Sequence, residues 1–421
     1  MPSVAAAELF FFYLFAVAAP LSIAALNAAQ GGLTLFFLAR LARGRWRPDP
    51  PALLLAAWFG WSVVCALVSP LRAEALNGVL NFWSWTAFLT ATAIPWSVRQ
   101  HLGKWSGYLA FSMVLTIPAS LTEFFLGTDI FHHQALVQKV PVGAVNAYGF
   151  FSQHLTYAGS MAIGTCLLGG LLLYGDEKRR AMHWAGMAAG LAGIILSLAR
   201  SYYVGLAAAI PVLLYPRGRK KILQAAGLAV VVVLALAVAG PPSVRARFRS
   251  LWDLNNPSSA ERIYLWKAGL EQWRARPLLG WGPGTYSLTA GPYKAPYARF
   301  IHYPGRPAGF QTTGHCHNLY LMIALQTGLV GLLLFLGFLA AVIVRIWRQP
   351  DAALKWGVLA ALVAFLVGGL FEYNGGDVEV ATLLFFLMGL ACEKSETKSE
   401  KQGSGASPPW WTRRSSSNPL S

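Results

Sequence analysis

Acidic side chains are scarce in this chain: 17 Asp and Glu among 421 residues, half the number of Lys and Arg, with charged residues of both signs only 12% of the total. A soluble fold of that length would be left with apolar surface that only hydrocarbon could cover, since mean hydropathy is +0.48. Cysteine is sparse as well. Cys65, Cys166 and Cys392 lie in or at apolar runs, and Cys316 is expected to face outward without a partner, so no disulfide framework is expected. The first apolar run lacks a basic start and a small-residue cleavage site, and is therefore read as a retained span and not as a cleaved leader. No internal repeat is found.

What is abundant is long apolar sequence. Runs able to cross about 30 Å of hydrocarbon must be helices there, because no water satisfies an open backbone. Twelve are expected, near 5–26, 30–43, 51–69, 77–96, 106–125, 153–174, 183–199, 202–216, 221–240, 317–346, 355–372 and 378–392. The even connections are basic, with Arg40 to Arg47, Arg99 and Lys104, Lys178 to Arg180, Arg217 to Lys221, and Arg345 and Arg348. By the positive-inside rule both termini are cytoplasmic. The expected fold is an all-α polytopic bundle. Residues 1–240 hold nine spans, 241–314 an external loop domain, 315–392 three spans, and 393–421 a disordered cytoplasmic tail rich in Ser, Lys, Glu and Gly.

The external loop domain is strongly basic, from Arg245 through Arg262, Lys267 and Arg274 to Arg306, against only Asp253, Glu261 and Glu271. Long loops are exempt from the charge rule, so this excess has another cause. Anionic headgroups would attract it, as would a phosphate-bearing ligand, for which guanidinium is the preferred fork-shaped donor. Its external position argues against nucleic acid.

Three short stretches fall on that same external side. Arg200 stands between the apolar runs 186–198 and 203–214, where an arginine is paired, snorkelled to headgroups or functional. Ser258-x-x-Glu261 fits a capping box that opens an amphipathic helix with Ile263, Trp266, Leu270 and Trp273 on one face and Pro277 beyond its end. Arg262 lies in the first turns of that helix, where the helix dipole disfavours a cation unless an anion is bound with it, and a solvated side chain is the alternative. Finally, His315-Cys316-His317-Asn318 precedes the tenth span. There Asn318 or His317 could cap the helix, or a histidine could serve as general base. Nearly adjacent ligands and sparse external carboxylates argue against zinc. His132, His133 and His302 carry no specific spacing.

In order and wording these stretches resemble the O-antigen ligase and polymerase superfamily of bacterial polysaccharide assembly. The resemblance rests on Leu198-Ala199-Arg200-Ser201 with Gly205; on Glu261-Arg262-x-x-x-Trp266 followed by Pro277-Leu278-Leu279-Gly280-Trp281-Gly282-Pro283-Gly284; and on His317-Asn318-Leu319-Tyr320 with Gly328-Leu329-Val330-Gly331. It covers roughly residues 150–345. Ala199 departs from the small hydroxyl residue often found before the family arginine.

The resemblance implies an O-antigen ligase, a membrane glycosyltransferase of the C type that is inverting and needs neither metal nor cofactor. Its partners would be undecaprenyl-diphosphate-linked O-antigen as donor and lipid A-core oligosaccharide as acceptor, met at the periplasmic face of the inner membrane. Arg200 and Arg262 would hold the diphosphate and His317 would take the acceptor proton. Metal-dependent relatives would need acidic residues near the first external loop, read here as Asn27-Ala28-Ala29-Gln30, which has none. An O-antigen polymerase, a protein O-glycosyltransferase and a transporter of anionic or lipid-linked sugars are the alternatives. The last would show paired repeats and broken helices, which are not expected here.

Overall fold

The computed structural model describes residues 2–128, 145–240, 245, 253, 256–303, 307–310, 312 and 314–392. His132, His133, Arg306 and the tail from 393 lie outside them. Among the described residues every regular element is a helix. In chain order these are α1 (Pro2–Ala18), α2 (Ile23–Ala42), α3 (Pro50–Leu67), α4 (Arg72–Leu80), a 3-10 turn (Asn81–Thr86), α5 (Ala87–Thr92), α6 (Trp96–Arg99), α7 (Leu102–Leu126), α8 (His154–Tyr174), α9 (Arg180–Ser197), α10 (Arg200–Leu214) and α11 (Arg219–Ala239). The outer segment adds α12 (Pro257–Ala275), α13 (Tyr286–Thr289), α14 (Gly291–Lys294) and a 3-10 stretch (Ala295–Phe300); α15 (Leu319–Trp347), α16 (Ala352–Gly368) and α17 (Val378–Cys392) complete the chain.

Five of these, α3, α7, α8, α11 and α15, are long and apolar enough to cross a membrane, and α1, α16 and α17 are shorter apolar helices. Large apolar side chains such as Leu35, Leu80, Phe125 and Val238 stand mostly exposed, as suits hydrocarbon surroundings. The centre of the bundle is α8, buried along nearly its whole length and packed between α9, α10, α16 and α17. Its approach to α16 depends on glycine. A Cβ on Gly170 would come within 2.5 Å of the Ala353 carbonyl oxygen and 2.6 Å of the Gly357 Cα. Small residues let two backbones meet where no hydrophobic force between helices operates.

Several expected boundaries move, each for a local reason. Pro20 helps end α1 early, and Ser22 caps α2 by accepting from the Ala25 amide, so Asn27 to Gln30 lie inside α2 and not in a loop. The connection is Ala19 to Ser22 instead, which also contains no acid. The run expected at 77–96 is not one helix but the α4, 3-10 and α5 series, where Trp85 stacks on Trp58 at 4.4 Å. The span expected at 355–372 ends at Gly368, leaving 369–377 as a loop.

Helix breaks, not expected from the sequence, are therefore present. The second is in α15 at Gly328 (φ 67°, ψ −171°). The residues around that break are occupied by the Pro277 to Gly282 elbow. The Trp281 amide donates to the Leu325 carbonyl at 2.8 Å, the Gly282 amide to Gln326 at 3.1 Å, and the Leu329 amide returns to Pro277 at 2.8 Å. Trp61 Nε1 donates to the Thr327 carbonyl at 2.8 Å. A Cβ at Gly328 would fall 1.9 Å from the Leu278 carbonyl oxygen, so only glycine fits. Two glycine motifs distant in sequence are thus one joint, which locks the outer segment onto α15. Its carbonyls are satisfied by protein, unlike the ion-coordinating breaks of a transporter.

Candidate active site

The site is assembled at one end of the bundle, where α9 meets α10, α15 begins and α16 gives way to α17. The basic connections after α10 and α15 lie at the opposite ends of the same helices. Over the site sits α12. Its packed face is Glu261, Leu265, Ala268, Gly269 and Gln272, rotated from the expected Ile263, Trp266, Leu270 and Trp273, of which Leu270 is 44% exposed. The rotation follows from the partner surface: Gly269 lies against Leu321 and Leu325, and Leu265 joins Tyr286, Ala290, Cys316 and Met322 in a second core.

The capping box is not formed. Asn256 caps α12 by accepting from the Ser258 amide, and Glu261 turns outward from the helix start to accept from Tyr303 Oη at 2.5 Å and the Thr312 amide at 2.7 Å. Ser258 instead anchors Arg262. The Arg262 Nη1 donates to Ser258 Oγ at 2.7 Å and its carbonyl at 3.2 Å, while Nε donates to the Phe371 carbonyl at 3.0 Å. That fixes the guanidinium and leaves Nη2 directed toward Glu372 Oε2, 3.7 Å away.

Asn318 is the cap of α15, with Oδ1 accepting from the Leu321 amide at 2.9 Å, which frees His317 of that role. His317 adopts a left-handed backbone (φ 52°), as does Leu198 (φ 55°) just before Arg200; among the described residues these are the two non-glycine positions with positive φ. Such conformations cost energy and gather at functional sites. The imidazole is held at both nitrogens. Nδ1 lies 2.7 Å from Glu372 Oε2 and Nε2 lies 2.9 Å from Thr312 Oγ1. An ionised carboxylate only accepts, so Nδ1 carries the proton and the basic lone pair is on Nε2. Trp266 Nε1 donates to the His317 carbonyl at 3.2 Å, tying the base to α12.

Glu372 was not among the expected residues, because the apolar pattern placed it as the last residue of a span. Its carboxylate is 3% exposed and receives His317 Nδ1 and Arg262, with His315 Nδ1 3.6 Å away. Burial alone would raise its pKa, but the hydrogen bond from His317 and the nearby Arg262 guanidinium favour the ionised form and hold it below the usual carboxylate range. Asp377, at the far end of the same loop, is pushed well above that range by burial and by the charge of Glu372. His315 accepts the His317 amide at Nδ1, 3.2 Å, and loss of hydration pushes its imidazole down to about 4. Cys316, expected outward, is fully buried in the second core.

His315, His317 and Glu372 place three ligand-type atoms within 4.8 Å of one another, a group that could hold a metal ion. Each of those atoms already takes part in a hydrogen bond or ion pair with another group of the site. The arrangement reads equally as an oriented base.

Arg200 is the first residue of α10. Arg262 and Asp253 lie within electrostatic reach of it. Arg200 and Arg262 thus lie at the same end of the bundle within electrostatic reach of each other, and Glu372 joins Arg262 to His317.

A prediction follows from the sign of the Glu372 shift. A depressed folded pKa contributes stability in full above the ordinary 4.5 and loses it as pH falls from there toward the folded value. Glu372→Gln keeps the shape without the charge, so the fall in melting temperature below pH 4.5 should be shallower in the variant than in the wild type. Parallel curves across that window would show that the carboxylate has no such coupling.

Comparison with known proteins agrees with the reading of these motifs. Over 119 residues the chain is 29% identical to a Rickettsia conorii protein described as a polysaccharide ligase; the aligned part is 28% of this chain and 28% of that relative's length. Residues 185–336, which contain Arg200, Arg262 and His317, match the family model for O-antigen ligase.

Proposed function

We propose that the protein is an O-antigen ligase, moving a glycan from undecaprenyl diphosphate to a sugar hydroxyl of lipid A-core at the periplasmic face of the inner membrane, within a C-type bundle of twelve crossings. The observation that carries this reading is a histidine whose Nδ1 is bound by a buried carboxylate that also faces Arg262, with Arg200 within electrostatic reach. A diphosphate has the charge and the forked oxygen geometry that guanidinium groups gathered at one site can hold.

Cleaving the bond from the anomeric carbon to the diphosphate builds negative charge on the leaving oxygen. Arg200 and the Nη2 edge of Arg262 stabilise that charge directly. On the opposite face of the sugar the acceptor hydroxyl attacks and the anomeric configuration inverts. Its proton passes to His317 Nε2, where the acceptor takes the place of the Thr312 hydroxyl, and Glu372 stabilises the imidazolium that forms. No step needs a metal, so transfer by purified protein in excess EDTA is expected to match the untreated rate. Loss on chelation, with recovery on adding a divalent ion, would assign His315, His317 and Glu372 to a metal centre instead.

The lipopolysaccharide of a deletion strain tests the function itself. Bare lipid A-core with accumulated lipid-linked polymer is the expected result. Core carrying a single repeat would identify a polymerase, and unchanged lipopolysaccharide would overturn both.

A further inference from the structure

The outer segment presents a second surface on the flank of α12 away from Arg262. Tyr264, Lys267 and Glu271 recur at helical spacing and stand off the packed stripe of Glu261, Leu265, Ala268 and Gln272. The 3-10 stretch lays Tyr297 and Phe300 against Tyr264, with ring centroids 5.6 Å and 5.3 Å away and interplanar angles of 29° and 17°. Cations lie over two of the rings and leave Tyr297 as the ring for a sugar face. Lys267 Nζ is 5.2 Å from the Tyr264 centroid and the Arg299 guanidinium carbon 4.8 Å from that of Phe300. Lys267, Glu271 and Arg299 are exposed, and Phe300 is 46% exposed, so the stack belongs to neither core.

We infer that Tyr264, Tyr297 and Phe300, with Lys267 and Arg299, form a binding platform for an acidic saccharide chain; this rests on the glycan-transfer reading above. A pyranose presents a face of C–H groups that is apolar and slightly positive, and it lies on the negative face of an aromatic ring. Lys267 and Arg299, over the neighbouring Tyr264 and Phe300 rings, pair the carboxylate or phosphate groups of acidic sugars, and their balance over Glu271 favours an anionic chain. The platform is continuous with the site. Three residues beyond Phe300, Tyr303 donates to Glu261, the neighbour of Arg262, so a chain leaving the reacting carbon can follow residues 303 to 297 outward. Membrane headgroups are the other partner that rings and cations suit. The packed stripe of α12 is turned onto α15, which places the platform on another flank from the spans.

The experiment uses the full chain in phosphatidylcholine nanodiscs, with tetragalacturonate as the acidic probe and maltotetraose as the neutral one. Saturation-transfer NMR is expected to show tetragalacturonate bound more tightly than maltotetraose, with the signal lost in Phe300→Ala combined with Arg299→Gln and recovered in Phe300→Trp. In ligation assays the double variant should raise the KM for an acidic glycan several-fold and leave kcat unchanged. Equal probe binding by wild type and double variant would overturn the platform, whether or not the chain ligates; probe binding by a chain without ligase activity would overturn only the transfer reading. A spin label at Phe300→Cys distinguishes the membrane, since the four native cysteines are buried. Power saturation by oxygen exceeding that by a polar nickel complex would place the rings in lipid and overturn the proposal, and the reverse order supports it.

Discussion

Replacing His317 by Asn is expected to leave the protein folded and to lower transfer by about 10²-fold or more, the usual contribution of a general base. Asn is the informative substitute because position 317 has φ 52°, and Asn tolerates the left-handed region better than other non-glycine residues. Asn318 caps α15 on its own, so the helix start does not depend on the imidazole. His315→Asn serves as the control and should be milder, since His315 Nδ1 accepts a backbone amide rather than facing the acceptor. Purified His317→Asn protein that ligates lipid-linked donor to lipid A-core at near wild-type rate would falsify the assignment, with His302 or a bound water next in line.

Arg262→Lys is the second large effect, at about 10²-fold in kcat, comparable to removing a donor that meets developing oxyanion charge. Lysine retains the positive charge but cannot at once satisfy the Phe371 carbonyl, the Ser258 hydroxyl and a diphosphate oxygen, as the planar guanidinium does through Nε, Nη1 and Nη2. Lys267→Ala, on the other flank of the same helix, should keep kcat. Comparable kcat losses in the two variants at equal protein level would reduce the role of α12 to general positive charge.

The stability of the site depends on a residue outside the transfer chemistry. Glu261 holds the Tyr303 hydroxyl and the Thr312 amide, so it fixes the segment that brings a hydroxyl to His317 Nε2. Its motif partner Arg262 faces the site, while Glu261 builds the wall around it. Adjacent members of one sequence motif therefore do different work, because neighbouring positions on a helix point about 100° apart.

Hydropathy by itself determined the helical class and the apolar runs, because a backbone in hydrocarbon has only one local way to satisfy its hydrogen bonds. It also marked Arg200 as a cation between apolar runs, while Arg262 and His317 stood out only through the motifs that resemble the ligase and polymerase superfamily. Tertiary structure decided what they meet. Glu372 lay at the end of an apolar run and carried no local signal, and it became visible only when the loop 369–377 folded under His317, 55 positions earlier in the chain. The breaks at 81–86 and Gly328 were hidden likewise, since an apolar run reads as continuous whether or not a distant elbow supplies its missing hydrogen bonds. Periodicity reports which side chains avoid water. It cannot report which distant backbone or carboxylate replaces that water, and that replacement turns three isolated polar residues into a site.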